Sequence, residues 1–271
     1  MSAADQGDRY GGLGVYAVVY LAFIYVPVLF LPLFSFNDSL YVAFPLKGFT
    51  VKWYHDMANN ASLLRALGNS IQVAAAVSVL STALGTLAAK AVTRYRLPGR
   101  GPIVGFIMLP LVIPGIIIGI SLLILVSRAG IPLSLFTISV GHVLVCMPFS
   151  MLVMISRLEG FDRNLEEASL DLGENAWTTF WRVTFPLATP GLIASLLLCF
   201  TISFDEFVLS FFLAGPDATL PIYIWGQLRF PAKLPGVLAL GTCILAASFM
   251  VVVFAEWFRR RGVQLGTPSG I

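Results

Sequence analysis

Apolar residues gather into six long runs that more polar intervals separate. The runs cover about residues 13–36, 67–92, 103–126, 133–155, 187–213 and 237–258. Each run supplies the roughly 20 helical residues that cross the hydrocarbon of a bilayer. The pattern therefore predicts an all-α, polytopic membrane protein with six transmembrane helices, and one transmembrane domain over residues 1–271.

Prolines inside two of these runs predict distorted helices. Pro27 and Pro32 lie in the first run, and Pro110 and Pro114 lie in the third, within LPLVIPGIIIGI. A proline removes a backbone donor and clashes with the preceding turn. We expect the first helix to bend and the third to be kinked or locally broken. A broken backbone is tolerated at membrane depth where it faces protein or a cavity, so the third helix either lines a pathway or carries a plain kink.

The composition agrees with a membrane protein. Hydrophobic residues make up 58% of the chain and charged residues only 11%, whereas about a quarter of the residues in soluble domains are charged. The sequence shows no basic patch of the kind that would indicate nucleic acid as a partner. Cys146, Cys199 and Cys243 all fall in apolar runs without a C-x-x-C pair, which favours reduced packing residues over a disulfide or a metal site.

The distribution of basic residues predicts the orientation. If the N-terminus is cytoplasmic, inner segments hold 11 of the 17 Lys and Arg residues and outer segments hold 6. The inner set is Arg9, Lys90, Arg94, Arg96, Arg100, Arg157, Arg163, Arg182, Arg259, Arg260 and Arg261. Cytoplasmic loops of membrane proteins carry such an excess. We therefore expect both termini in the cytoplasm.

The polar stretch RNLEEASLDLGENAWTTFWRVTFP, residues 163–186, is unusual in so apolar a chain. Four of the fourteen acids fall within nine residues, 166–174. A narrow small-and-apolar stripe runs beside them at helical spacing, formed by Leu165, Ala168, Ser169 and Leu172. Gly173 permits the positive φ that ends a helix. The stretch predicts an amphipathic helix that either lies in a groove of another protein or rests on lipid headgroups.

The spacing in this stretch resembles the signature of permease subunits of ATP-binding-cassette (ABC) importers. The family pattern is E-A-A, three residues, G, nine residues, an aliphatic residue, any residue, then L-P. Here it reads Glu167-Ala168-Ser169, Gly173 and Val183-x-Phe185-Pro186, with Ser169 and Phe185 as conservative departures. The resemblance implies the type I importer permease fold. It also implies that residues of about 157–186 form a coupling loop whose first helix docks in a cleft of an ATPase subunit.

The resemblance further implies roles and partners. The residues expected to couple the permease to the ATPase are Glu166, Glu167, Ala168, Ser169, Asp171, Leu172 and Gly173. The chain itself would be no enzyme and hold no cofactor, because ATP and Mg²⁺ bind the ATPase. Expected partners are a second permease, two ATPase subunits, a periplasmic substrate-binding protein and membrane lipid. The expected location is the bacterial inner membrane.

Two adjacent carboxylates lie within the fifth apolar run. Asp205 and Glu206 occur in CFTISFDEFVLSFF, where ionised groups are costly unless they face protein, water or a cation. Successive helical residues point about 100° apart, so we expect one acid to face a path while its neighbour pairs with another helix. The surrounding phenylalanines suit an organic cation through cation–π contact. A structural pair held by interhelical hydrogen bonds is the alternative.

The same region gives a narrower resemblance. The elements SFDEF, FFLAG and TLPIY resemble those of the second permease in spermidine and putrescine uptake systems. The resemblance implies a polyamine path lined by Phe204, Asp205, Glu206, Tyr223 and Trp225. Alternatives are the same importer type for an amino-acid derivative, an opine or ferric iron, or a stand-alone secondary transporter. A membrane hydrolase is disfavoured, because no G-x-S-x-G element accompanies a histidine.

The two histidines carry weaker signals. His55 lies in a polar interval without a second metal-binding side chain, which favours a solvated residue. His142 lies in the fourth run, in GHVLVC. It either bonds to a neighbouring helix or lines the path, and packing is favoured because no carboxylate lies at helical spacing.

Overall fold

The computed structural model describes residues 3–263, which form helices joined by turns and loops. The helices are α1 Ala3–Ser35, α2 Lys52–Ala58, α3 Ala61–Arg94, α4 Arg100–Val112, α5 Gly115–Arg128, α6 Leu135–Glu159, α7 Asn164–Asp171, α8 Ala176–Thr179, α9 Phe185–Asp205, α10 Val208–Leu213, α11 Leu220–Leu228 and α12 Leu234–Val263. One π-helical turn, Phe180–Thr184, joins α8 to α9. No named strand occurs among the described residues, so the predicted all-α fold is confirmed.

The membrane spans follow the apolar runs. Within residues 3–263, five stretches are long and apolar enough to cross a bilayer: Gly12–Ser35, Ala61–Arg94, Leu135–Glu159, Ala176–Asp205 and Pro231–Met250. Helices α4 and α5 make a sixth span if the bent pair is counted as one. The third predicted helix is therefore not continuous.

The break in the third run occurs at a proline. The chain bends by 102° between helices α4 and α5. The bend arises because Ile113 is extended (φ −76°, ψ 130°) and Pro114 precedes the new helix. Pro114 has no N–H to donate to the carbonyl of Pro110 one turn earlier. Pro110 itself stays inside α4, and α1 continues through Pro27 and Pro32. The predicted local break of this run is thus confirmed at one of its two prolines.

The expectation of one continuous fifth helix over 187–213 is wrong. Helix α9 ends at Asp205, Glu206 is extended (φ −72°, ψ 105°), and α10 begins at Val208. The Glu206 side chain accepts a hydrogen bond from the backbone N–H of Leu209 at 3.1 Å. A carboxylate that satisfies an otherwise unpaired N–H at a helix start stabilises that start. The charged residue therefore initiates a new helix instead of lying within the old one.

The described chain divides into two compact units. The first contains α1, α2 and α12. In it the Trp53 indole N–H donates to the carbonyl of Asn37 at 2.9 Å, and the Tyr54 hydroxyl bonds to that of Ser35 at 2.6 Å. These bonds fix α2 against the end of α1. The second unit covers residues 62–223 and contains the candidate sites.

Helices α6 and α9 of the second unit pair in an antiparallel, four-residue register. His142 contacts Ser203 at 2.9 Å, and the Ser195 hydroxyl donates to Ser150 at 2.7 Å. Between these pairs, the thiols of Cys146 and Cys199 each bond to the other's carbonyl, at 3.8 and 3.6 Å. Small side chains every fourth residue allow helices to approach closely in lipid. The register therefore makes α6 and α9 a tightly joined pair.

Helix α3 joins this pair through small residues of its own. The Thr82 hydroxyl lies 3.0 Å from that of Ser195, which extends the bond between Ser195 and Ser150 to a third helix. A Cβ on Gly85 would lie 2.2 Å from the Ser150 hydroxyl and 2.8 Å from the backbone nitrogen of Met151. Only glycine allows this approach of α3 to α6.

Candidate functional site

The loop between α6 and α9 folds into a helix-turn-helix. Helix α7 ends before Gly173, which has a left-handed φ of +91°. The N–H groups of Gly173 and Glu174 bond back to the carbonyls of Leu170 and Ser169, a closure that needs the left-handed residue. The Asn175 side chain then accepts from the first N–H groups of α8. Sequence-encoded caps thus define the turn at Gly173 that the spacing predicts.

Glu166 faces inward and anchors this loop. Its carboxylate lies 2.6 Å from Arg94 Nε, and the two side chains are only 12% and 10% exposed. The other carboxylate oxygen accepts a hydrogen bond from the Thr184 hydroxyl at 2.5 Å. Arg94 also donates to the carbonyl of Leu158 at the end of α6. The first helix of the loop is therefore tied to α3, to α6 and to the start of α9.

The opposite face of the loop is exposed and partly apolar. Leu165 is 48% exposed, Leu172 is 86% exposed, and Trp177 is 71% exposed. Ser169 turns inward instead, since its hydroxyl lies 3.0 Å from that of Thr179. Exposed as well are Glu167, Ala168, Asp171 and Gly173. We call Leu165, Ala168, Leu172 and Trp177 the loop face. Exposed apolar side chains with polar neighbours are typical of protein contact sites.

A second candidate site lies at the break between α4 and α5. A recess of about 370 Å³ opens there. Its lining consists of Pro110, Leu111, Ile113, Gly115, Ile118, Val145, Phe149, Glu206 and Leu209. Glu206 is the ionisable side chain among these residues, and the walls around it are otherwise apolar. The extended Glu206 backbone, between α9 and α10, places the carboxylate there.

The other predicted path residues occupy different surroundings. Asp205 is exposed at the end of α9 and does not line the recess. Phe204 stacks on Phe200 with ring centroids 5.9 Å apart. Tyr223 is half-buried on α11, and Trp225, which is 48% exposed, belongs to the other unit. The structure therefore separates the two adjacent acids, and Glu206 is the one that faces a cavity.

Sequence reasoning missed how His142 is used. The ring is 1% exposed and lies between Ser203 at the end of α9 and Ser210 in α10, at 2.9 and 3.1 Å. The expected bond to a neighbouring helix is present, but there are two bonds, one on each side of the break. The polar residues spaced four apart on α6 and α9 are the signal that could have revealed this.

Comparison with known proteins settles the family. Residues 81–263 match the model of the family described as "Binding-protein-dependent transport system inner membrane component". The chain belongs to this family. Its resemblance to ABC importer permeases, first drawn from the loop spacing, is thereby confirmed.

Polyamine permeases are among the relatives. The chain is 35% identical to the spermidine/putrescine transport system permease protein PotC of Escherichia coli K12, over 91% of this chain and 93% of PotC. It is also 35% identical to the putrescine transport system permease protein PotI of the same organism, over 87% and 86%. A probable molybdenum ABC transporter permease of Haloferax volcanii is 36% identical over 61% of this chain and 65% of that protein.

A solved structure supports the fold. The chain superposes on a chain of a bacterial ABC transporter that imports the acidic polysaccharide alginate, with a TM-score of 0.77. The match covers 95% of this chain and 99% of the other, at 18% sequence identity. The protein is therefore a multi-pass inner-membrane permease subunit of an ABC importer.

Proposed function

We propose that this permease translocates a polyamine such as putrescine or spermidine into the cell. The observation that carries the proposal is the Glu206 carboxylate in an otherwise apolar recess at a broken helix. The names of the two relatives that are 35% identical point to the same solutes.

The chemistry of the recess suits an alkyl diamine or triamine. A carboxylate in apolar surroundings attracts an ammonium group more strongly than it would in water. The helix break leaves the Pro110 carbonyl without its usual N–H donor, so it can accept from the same ammonium. The methylene segments can pack on Ile118, Val145 and Leu209. The volume lies within the range of small-molecule sites, about 300–1,000 Å³.

Ferric iron fits this recess less well. A hard trivalent ion takes several charged oxygen ligands, whereas one carboxylate contributes to the lining. An amino-acid derivative or opine would bring its own carboxylate into apolar surroundings without a cationic partner among the lining residues. A polyamine has no such group.

We propose that this chain works within an assembly of several subunits. In that assembly the chain itself would be no enzyme and would hold no cofactor. A second permease would complete the pathway, a periplasmic binding protein would deliver the solute, and two ATPase subunits would bind ATP and Mg²⁺. The loop face, with Leu172 and Trp177 at its centre, would dock on an ATPase from the cytoplasmic side, which also holds both termini. Motion of α7 would then reach α3 through Glu166 and Arg94, which lie 2.6 Å apart.

Substrate-stimulated ATPase activity of the assembled importer in lipid nanodiscs tests the proposal. Putrescine or spermidine, delivered by the binding protein, should stimulate hydrolysis by the native complex. Glu206→Gln should weaken that stimulation about ten-fold or more, because the charge partner of a buried ammonium is lost. Asp217→Asn, at an exposed acid between α10 and α11, is the matched control and should change little. Equal stimulation in the Glu206 variant would reject this role for the recess.

A further inference from the structure

His142 connects the two helices that flank Glu206. Its Nδ1 lies 2.9 Å from the Ser203 hydroxyl in α9, and its Nε2 lies 3.1 Å from the Ser210 hydroxyl in α10. All three side chains are buried, with exposed fractions of 1%, 4% and 0%. The imidazole of α6 therefore spans the break from one side to the other.

The direction of each hydrogen bond follows from the number of available hydrogens. The Ser210 hydroxyl donates its hydrogen to the backbone carbonyl of Glu206 at 2.8 Å. Ser210 must then accept from His142, so Nε2 carries the hydrogen of the neutral ring. Nδ1 consequently has a lone pair and accepts from the Ser203 hydroxyl. One relay thus runs from Ser203 through His142 and Ser210 to the Glu206 carbonyl.

This chain of hydrogen bonds holds Glu206 in place, and Glu206 is the residue whose side chain faces the recess. The Glu206 carbonyl is held by Ser210, while its carboxylate accepts the N–H of Leu209 at 3.1 Å. Backbone and side chain of Glu206 are therefore both bound to the first turn of α10, and that turn is bound to α9 through His142. An apolar residue in place of His142 would fill space, but the buried Ser203 hydroxyl would lose its acceptor and Ser210 would lose the N–H that it accepts.

We propose that His142 is a positioning residue for transport: it holds α9 and α10 at the angle that presents the Glu206 carboxylate to the recess. The proposal rests on the proposed function of Glu206 as a contact of the cationic substrate. His142 touches no substrate and acts through Ser210.

Kinetics of putrescine uptake by proteoliposomes containing the whole importer test this role. His142→Leu should raise KM about five-fold, because both buried hydrogen bonds across the break are lost, with an unchanged amount of assembled complex. His142→Gln keeps an acceptor and a donor and should recover most of the loss. Ser139→Ala is the control on α6, because its hydroxyl bonds only within its own helix, to the carbonyl of Leu135. An unchanged KM in His142→Leu would overturn the proposal.

A double-mutant cycle separates positioning from general packing. If His142 acts through Glu206, His142→Leu should add less than about two-fold to KM in a Glu206→Gln background. The same five-fold increase in both backgrounds would mean that His142 serves packing alone. Should His142→Leu fail to assemble, Ser210→Ala takes its place in the cycle with Thr201→Ala as control, since Thr201 bonds only to Leu197 in its own helix.

A labelling experiment keeps this proposal distinct from the proposed function. Glu206→Cys is reacted with a small cationic thiol reagent in a Cys243→Ser background; Cys146 and Cys199 stay because they are 1% and 0% exposed. His142→Leu should change the reaction rate at position 206 about three-fold or more, because the break loses its fixed angle. Altered labelling with normal uptake by Glu206→Gln would reject only the substrate contact. Unchanged labelling would reject the positioning role itself.

Discussion

Arg94 and Glu166 form a nearly buried ion pair, with Nε 2.6 Å from the carboxylate oxygen. The pair joins the last turn of the long helix α3 to the first turn of α7, the helix whose outer face is exposed. Thr184 binds the second oxygen of the same carboxylate. A charged contact thereby connects α7 directly to a membrane-spanning helix.

Removing one partner of this pair should destabilise the protein strongly. Glu166→Gln leaves the Arg94 guanidinium buried and uncompensated, which costs about 3–5 kcal/mol. Thermal unfolding of the purified protein measures the loss. Glu174→Gln is the matched control, because Glu174 and Arg182 also lie 2.6 Å apart but are 34% and 72% exposed. That exposed pair should contribute less than about 1 kcal/mol. Equal losses in the two variants would contradict the anchoring role of Glu166.

Any side chain at position 173 should lower the stability of the protein, because the backbone of this turn is left-handed. Its φ is +91°, and a Cβ added at this position would meet nothing within 4 Å, so Gly173→Ala meets strain without a clash. The expected cost is about 1–2 kcal/mol. Gly105→Ala, which also meets nothing within 4 Å but lies inside α4, should be neutral or slightly stabilising. Unfolding midpoints of the two variants make the comparison, and equal midpoints would refute the strain argument.

The close contact between α3 and α6 should require that position 85 carries no side chain. Gly85→Ala would place a Cβ 2.8 Å from the backbone nitrogen of Met151, so the two helices must separate. Overpacking of this kind costs about 1–3 kcal/mol. Gly68→Ala, on the same helix with nothing within 4 Å, serves as the control. A Gly85 variant as stable as the Gly68 variant would show that the helices are not so closely packed.

The loop face should matter for assembly and not for folding. Leu172 is 86% exposed, so Leu172→Arg should leave the unfolding temperature of this chain unchanged. It should weaken retention of the ATPase subunits on affinity-tagged permease about ten-fold, since a charge would enter an apolar contact. Leu40→Arg, at a 47% exposed leucine in the loop before α2, is the control. Normal retention in the Leu172 variant would place the ATPase contact elsewhere.

The sequence predicts the helices better than it predicts their contacts. Apolar runs and the missing N–H of Pro114 are local properties, so the spans and the break before α5 follow from them directly. The end of α9 at Asp205 does not, because it depends on the capping of α10 by Glu206 and on bonds to α6. The pairing of Glu166 with Arg94 likewise joins residues far apart in the chain. The acidic composition of the loop could not distinguish this inward acid from its exposed neighbour Glu167.

ATP-dependent uptake of labelled putrescine by proteoliposomes that contain this chain, its second permease, both ATPase subunits and the binding protein tests the central claim most directly. The account predicts saturable uptake that requires ATP, is inhibited by spermidine and falls about ten-fold in Glu206→Gln but not in Asp217→Asn. Uptake that persists without ATP or the ATPase subunits would contradict it. So would a complex that transports another solute and leaves putrescine outside.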